Sequence, residues 1–282
     1  MRDLNARANS NESLRIIAGG DDLRVLKTYT VDLSRAVQSI EKQTMFTCFK
    51  NSSMLVEAAP ILSMRKLPTC IEVQMPYIEG YSGEDFAIYG TKSVSKNLSS
   101  VLTGIIEREL KSSVETEVKK KIFANKLEEV FDLTQELQIK TFYPRFKKIL
   151  NQLPEVFLMP IGQCHGDLTL GNLIYGVDAK ITLIDFLHTY LESPLQDVTK
   201  LTQEFKYFWS FRKSPEPLKT KGQIFLSTAY PKVLDEISKR YFHQIAVFEL
   251  LNLVRIAPYI RDEATCRWLM FSMQKFLNDY KK

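Results

Sequence analysis

One stretch of the chain concentrates side chains that could do chemistry. It reads Cys164-His165-Gly166-Asp167-Leu168-Thr169-Leu170-Gly171-Asn172-Leu173-Ile174, followed by Ile181-Thr182-Leu183-Ile184-Asp185-Phe186. Asn172 lies five positions after Asp167, and Asp185 thirteen positions after Asn172. A carboxylate beside a hydroxyl group can orient it and take its proton, which suits Asp167. A hard cation such as Mg2+ takes oxygen ligands, which an amide and a second carboxylate supply, so Asn172 and Asp185 suit a metal site. His165 reads as a histidine holding the loop backbone, because base and metal duties are already filled. His188 and His243 read as ordinary surface or core residues.

These groups need rigid elements to deliver them. Ile181 to Ile184 is a short, continuous apolar run, the pattern of a strand that would carry Asp185. Upstream, Ser13 to Ala18 and Leu23 to Tyr29 flank Gly19-Gly20-Asp21-Asp22, the composition of a tight hairpin. Leu33 to Phe49 carries apolar residues at helical spacing, with Asp32 and Ser34 as N-cap candidates. Met54 to Leu62 and Cys70 to Ile78 read as strands, and Pro76 marks the end of the second. Residues 79–85 have linker composition. Beyond them the pattern is mostly helical: Phe123, Leu127, Val130 and Phe131 share one face, and a helix over Thr141 to Leu150 stops before Pro154. From Pro194 onward the chain reads as helices and loops.

The joint pattern of the reactive stretch resembles the catalytic and metal loops of the protein-kinase-like superfamily, in particular the aminoglycoside phosphotransferase and choline kinase families. The resemblance implies an α+β, bilobal protein-kinase-like fold, with a small β-rich N-lobe and a larger, mainly helical C-lobe. It implies a nucleotide-binding lobe over 1–79 and a helical lobe with the catalytic and metal loops over 80–282. The implied activity is transfer of the γ-phosphate of ATP or GTP, with Mg2+, to a hydroxyl of a small polar metabolite: a sugar, an amino alcohol or a nucleoside-like acceptor. Asp167 would be the catalytic residue, and Asn172 and Asp185 the metal ligands. Val25-Leu26-Lys27 resembles the strand lysine that pairs the phosphates, and Glu41, fourteen residues on, the helix glutamate that holds it. Met75-Pro76-Tyr77-Ile78-Glu79-Gly80 resembles the hinge, so backbone groups around Met75 and Tyr77 would read the base edge. Leu191 to Val198 resembles the helix start of small-molecule phosphotransferases, where Asp197 would hydrogen-bond the catalytic loop. The run through Trp209 is also similar to phosphotransferases encoded with surface-polysaccharide genes.

Several positions depart from that pattern. Ala8-Asn9-Ser10-Asn11 resembles the Gly-x-Ser/Thr-Asn phosphate loop of choline-kinase-like enzymes with its glycines lost, leaving Ser10 and Asn11 as the nucleotide contacts. This erosion supports a second reading, a catalytically silent nucleotide-binding pseudokinase or scaffold module. Intact Asp167, Asn172 and Asp185 weigh against it. Gly166 stands where regulated protein kinases carry arginine, and no A-P-E element follows Asp185, which disfavours a protein kinase. The aromatic group Phe205, Tyr207, Phe208, Trp209 and Phe211 could form a cage for a quaternary ammonium, but reads more simply as core.

Composition is ordinary for a globular chain: 282 residues, 45% hydrophobic and 25% charged. A net charge of +5 is too small to argue for nucleic acid and compatible with an anionic nucleotide. Cys48, Cys70, Cys164 and Cys266 form no C-x-x-C pair, which fits reduced thiols in a cytoplasmic protein. The N-terminal residues show no apolar signal region. The longest apolar stretch, Ile245 to Ile260, is interrupted by Glu249, Asn252 and Arg255 and cannot span a bilayer.

Overall fold

In the computed structural model, residues 12–19, 22–51, 54–176 and 178–280 are described. The N-terminal part runs β1 (Glu12–Gly19), β2 (Asp22–Tyr29), α1 (Leu33–Met45), β3 (Phe49–Asn51), β4 (Met54–Ala58), β5 (Ser63–Lys66), β6 (Ile71–Pro76), β7 (Tyr81–Ser82) and α2 (Gly83–Tyr89). Next come α3 (Lys92–Ser112), β8 (Val114–Lys119), α4 (Lys121–Leu133), α5 (Leu137–Lys140), α6 (Tyr143–Gln152) and β9 (Val156–Ile161). After β10 (Leu173–Tyr175) and β11 (Lys180–Leu183) the chain is helical: α7 (Pro194–Tyr207), α8 (Glu216–Ala229), α9 (Val233–Arg240), α10 (Phe242–Val254) and α11 (Glu263–Tyr280). The chain divides into two compact units, residues 1–86 with 165–190 and residues 87–164 with 191–282.

In the first unit, β1 and β2 pair antiparallel, as the hairpin reading expects, with Lys27 opposite Leu14. They belong to a four-stranded sheet of order β1-β2-β6-β5. Ile71 and Val73 alternate with more exposed Glu72 and Gln74 along β6, so one face of this sheet is apolar. Helix α1 covers that face with Ala36 and Ile40, and Tyr29, Leu33, Val37, Ile61 and Met75 pack around them. Each fully buried Ile or Val side chain here contributes about 1.5–3 kcal/mol. The Asp32 carboxylate starts α1 by accepting a hydrogen bond from the Arg35 N–H at 3.2 Å. The helix ends at Met45, four residues short of the sequence expectation.

A second sheet of the same unit has the order β3-β4-β11-β10-β7. Strand β11 lies parallel to β4, with Ile181 beside Val56, and antiparallel to β10. Ile181, Thr182 and Leu183 are all buried, as a strand covered on both faces requires. Residues 79–85, read as a linker, instead contain β7 and the start of α2. Their glycines serve close approach: a Cβ on Gly83 would stand 2.1 Å from the Leu170 carbonyl oxygen, and one on Gly80 2.6 Å from that of Tyr175.

The second unit is mainly helical. In α10, Ile245 to Val254 are buried on every side, which identifies a core helix. Its Glu249 pairs with Lys206 at 2.7 Å and accepts a hydrogen bond from the Tyr207 hydroxyl at 2.5 Å. That burial and carboxylate push the Tyr207 hydroxyl pKa upward. Of the aromatic group around residue 208, Tyr207 and Phe211 are buried, with Phe211 filling the space over Gly222, while half-buried Phe205 meets Tyr230 edge-on and half-buried Trp209 meets Trp268. Lys119 ends β8 and Lys120 precedes α4. The sequence reading missed the antiparallel β8–β9 pair altogether. Lys120 pairs with Glu155 at 2.6 Å and donates to the Leu153 carbonyl at 3.0 Å. Among the described residues no helix is long and apolar enough to cross a membrane.

Candidate active site

Four predicted residues, Lys27, Asp167, Asn172 and Asp185, come together in the first unit. Strand β2 carries Lys27, whose side chain is only 5% exposed, and its amine reaches the Asp185 carboxylate at 2.9 Å. A cation that deep needs a compensating charge, because desolvating it alone is costly. The Tyr29 ring adds a cation–π contact with its centroid 4.8 Å from the amine. Asp185 stands two residues past the end of β11 and has φ +58°, a left-handed backbone uncommon outside glycine. Such a conformation persists only where its surroundings hold it.

The Asp167 loop is fixed from within. The Asn172 amide nitrogen donates to the Asp167 backbone carbonyl at 2.7 Å and to its carboxylate at 3.0 Å. Its amide oxygen therefore points elsewhere and stays available as a hard ligand. The backbone N–H of Ile184 donates to the Asn172 carbonyl at 3.1 Å, tying the two loops one residue from Asp185. His165 has the loop-holding place the sequence suggested. Its Nδ1 accepts from the Asp167 N–H at 3.2 Å, so Nε2 carries the hydrogen and donates to the Ile184 carbonyl at 2.9 Å. Its ring lies against Phe186, centroids 4.3 Å apart.

Other expected positions behave differently. Glu41 is exposed and makes no ion pair with Lys27, whose carboxylate partner is Asp185. The reason is helical phase: Ala36, Ser39, Ile40 and Gln43 face inward, which turns Ser34, Gln38, Glu41 and Met45 outward. Met75 sits at the end of β6, where its sulfur accepts from the Gln43 amide at 3.5 Å. The Tyr77 ring is exposed, but its backbone N–H already donates to the Leu23 carbonyl at 3.0 Å and is not open to a base. Ser10 and Asn11 lie outside the described residues. Asp197 is fully buried in the first turn of α7.

Three residues that the sequence reading did not single out, Arg35, Ser39 and Lys42, also touch this region. The Arg35 Nε donates to the His188 carbonyl at 2.8 Å, and Lys42 to the Leu187 carbonyl at 2.7 Å. The Ser39 hydroxyl accepts from the His188 N–H at 2.8 Å. Their spacing, four and then three residues, is that of one helix face, but polar residues on an amphipathic helix read as solvated.

The donor set fits a divalent cation. No group of three His, Cys, Asp or Glu side chains among the described residues could hold a metal. One carboxylate and one amide oxygen form the sparse set that suits Mg2+, which keeps water and binds phosphate oxygens.

Comparison with known proteins points the same way. A family model described as the phosphotransferase enzyme family matches residues 115–236, a segment holding Asp167, Asn172 and Asp185. No curated protein matches the sequence. Among solved structures, a thermostable mutant of aminoglycoside phosphotransferase APH(4)-Ia, in a ternary complex with ADP and hygromycin B, aligns with TM-score 0.58 and 11% identity. That alignment covers 96% of this chain and 91% of the other. The GDP complex of aminoglycoside 2'-phosphotransferase-IIIa aligns with TM-score 0.53 and 13% identity, over 95% and 93% of the two chains. A segment of the chain thus matches the phosphotransferase enzyme family model, and the chain shares the α+β fold of these aminoglycoside phosphotransferase structures.

Proposed function

We propose that this chain transfers the γ-phosphate of ATP or GTP to a hydroxyl group of a small polar metabolite. The observation that carries the reading is the contact at 2.9 Å between Lys27 on β2 and Asp185, whose loop is tied to the Asp167–Asn172 pair. An amine and a metal-binding carboxylate that serve one triphosphate must lie within about 10 Å of each other. Lys27 neutralises phosphate oxygens, and Asp185 keeps the amine aimed. Asp185 and Asn172 would hold Mg2+, which supplies charge neutralisation on the phosphates when bound. Asp167 orients the acceptor hydroxyl and takes its proton, while Asn172 fixes the carboxylate's direction. Backbone groups around Met75 and Tyr77, apart from the engaged Tyr77 N–H, would meet the base. Ser10 and Asn11 keep the phosphate-covering role that the resemblance implies, and 79/80 stays the proposed boundary between functional lobes. The solved relatives were crystallised with ADP, AMP-PNP or GDP, which supports nucleotide use. The cysteine pattern supports a cytoplasmic setting.

Two substitutions test the division of labour. Asp185→Asn weakens binding of a Mg2+–nucleotide analogue, because the cation loses an anionic ligand. Asp167→Asn keeps most of that binding and loses turnover by roughly 100-fold or more. Calorimetry, with a transfer assay over sugars, amino alcohols and nucleosides, reads both. A wild type that binds nucleotide and transfers phosphate to no acceptor, water included, favours the silent module that the glycine-poor 8–11 stretch suggests.

A further inference from the structure

We infer that α1 is the positioning device for the Asp185 loop: Arg35, Ser39 and Lys42 clamp the backbone of Leu187 and His188 and so hold Asp185 in the left-handed conformation that meets Lys27. The inference rests on the proposed phosphotransferase reading and assigns positioning residues to that same site.

Leu187 and His188 have all four of their backbone polar groups engaged. The Leu187 N–H donates to the His165 carbonyl at 2.9 Å, and its own carbonyl accepts from Lys42 at 2.7 Å. The His188 N–H donates to Ser39 at 2.8 Å, and its carbonyl accepts from Arg35 at 2.8 Å. Three of the four bonds come from one face of α1, and two of those have a charged donor, the stronger kind. Lys42 is 7% exposed, so its ammonium makes this contact away from solvent. The neighbouring Gln43 extends the grip to the strand that braces β11. Its amide donates to the Ala59 carbonyl at 2.7 Å, while the Ala59 N–H donates to the Leu183 carbonyl at 2.9 Å.

A left-handed aspartate needs such over-determination. If residues 187–188 were released, Asp185 could relax to an ordinary backbone and turn its carboxylate from Lys27. The helix therefore serves the site through the metal loop, whereas the glutamate expected to hold Lys27 faces outward. Arg35, Ser39 and Lys42 touch no reacting atom and act through Asp185.

The test uses the whole chain with Lys42→Met and Ser39→Ala, Lys42→Arg as the rescue, and Gln38→Ala on the exposed face as control. Two quantities are read: amide hydrogen exchange over residues 185–190 without nucleotide, and the Mg2+ concentration that half-saturates binding of a non-hydrolysable ATP analogue. Lys42→Met is expected to speed exchange at Leu187 and His188 and raise the Mg2+ requirement, each by roughly 10-fold, as loss of a charged hydrogen bond allows. Lys42→Arg restores both, and Gln38→Ala changes neither. Unchanged exchange in Lys42→Met and Ser39→Ala overturns the clamp. So does exchange that accelerates evenly through the first unit, since that marks general destabilisation. An unchanged Mg2+ requirement beside faster local exchange overturns the link to Asp185. A wild type that binds no Mg2+–nucleotide removes the phosphotransferase reading, and with it the link to the metal, while the exchange data still decide whether α1 orders the loop.

Discussion

Replacing Gly166 by alanine tests how tightly the two loops are locked. Gly166 has φ +86°, and a Cβ there would stand 2.1 Å from the Leu187 carbonyl oxygen and 3.0 Å from the Thr189 methyl. A left-handed residue with a Cβ costs about 1–2 kcal/mol. The clash is with backbone, so the Leu187 carbonyl must move by about 1.3 Å to reach ordinary contact. That motion strains the Lys42 bond to this oxygen and the Leu187 bond to His165. A charged hydrogen bond is worth about 1.5–3 kcal/mol and a neutral one about 0.5–1.5. Together these give a loss between about 3 and 6 kcal/mol, a large part of a domain's stability. The assay is urea-dependent hydrogen exchange read on peptides from 165–190, which avoids assuming that two compact units unfold as one. A loss below about 1 kcal/mol would refute the steric argument. The outcome also bears on why glycine stands here: the Leu187 carbonyl leaves no room for the arginine of regulated kinases.

Three further outcomes are expected. Lys27→Ala should raise nucleotide KM or lower kcat by a factor on the order of 10–1,000, and unchanged steady-state kinetics would show that the amine does not meet the phosphates. Asp262 accepts from the Thr265 N–H at 2.8 Å at the start of α11, and Lys213 at 2.8 Å leads the causes that hold its carboxyl down to about 2. Asp262→Ala should cost about 1 kcal/mol as a lost cap. Because the folded pKa is depressed, that difference is full above the ordinary value of 3.8 and vanishes as pH falls through about 2; acid melts of both proteins check it. Thiol alkylation at pH 8 should label exposed Cys48 first. Cys266, whose pKa is raised by burial and by Glu136 and Glu263, should follow slowly, and buried Cys164 should react only on unfolding.

What was legible in the sequence was local. The spacing of Asp167, Asn172 and Asp185 is written within nineteen consecutive residues, and the apolar run before Asp185 left little choice but a buried strand. The β1–β2 hairpin and the Asp32 cap were readable for the same reason. The antiparallel β8–β9 pair joins segments separated by the three helices α4, α5 and α6, and Pro160 inside β9 argues against a strand when read alone. Gly80 and Gly83 looked like flexible punctuation because a glycine needed for close approach has the same letter as one needed for a turn. Glu41 was placed on the right helix and the wrong face: a shift of one residue is 100° of rotation, which a loosely amphipathic pattern does not resolve.

The pairing of β11 with β4 also bears on how this protein is made. Residues 54–58 must wait for residues 180–183 before that sheet can close, and the intervening chain includes all of 87–164, which belongs to the other compact unit. A ribosome therefore releases the first strands long before their partners exist. Contacts between residues so far apart form slowly, since loop closure must precede any gain from pairing. During synthesis the exposed edge of β4 is open to other chains, the usual hazard of unpaired strands in nascent proteins. Helix α1 and the β1-β2-β6-β5 sheet draw only on residues before 77 and can form early. Lys27 would then be in place before the aspartate that it meets has been translated.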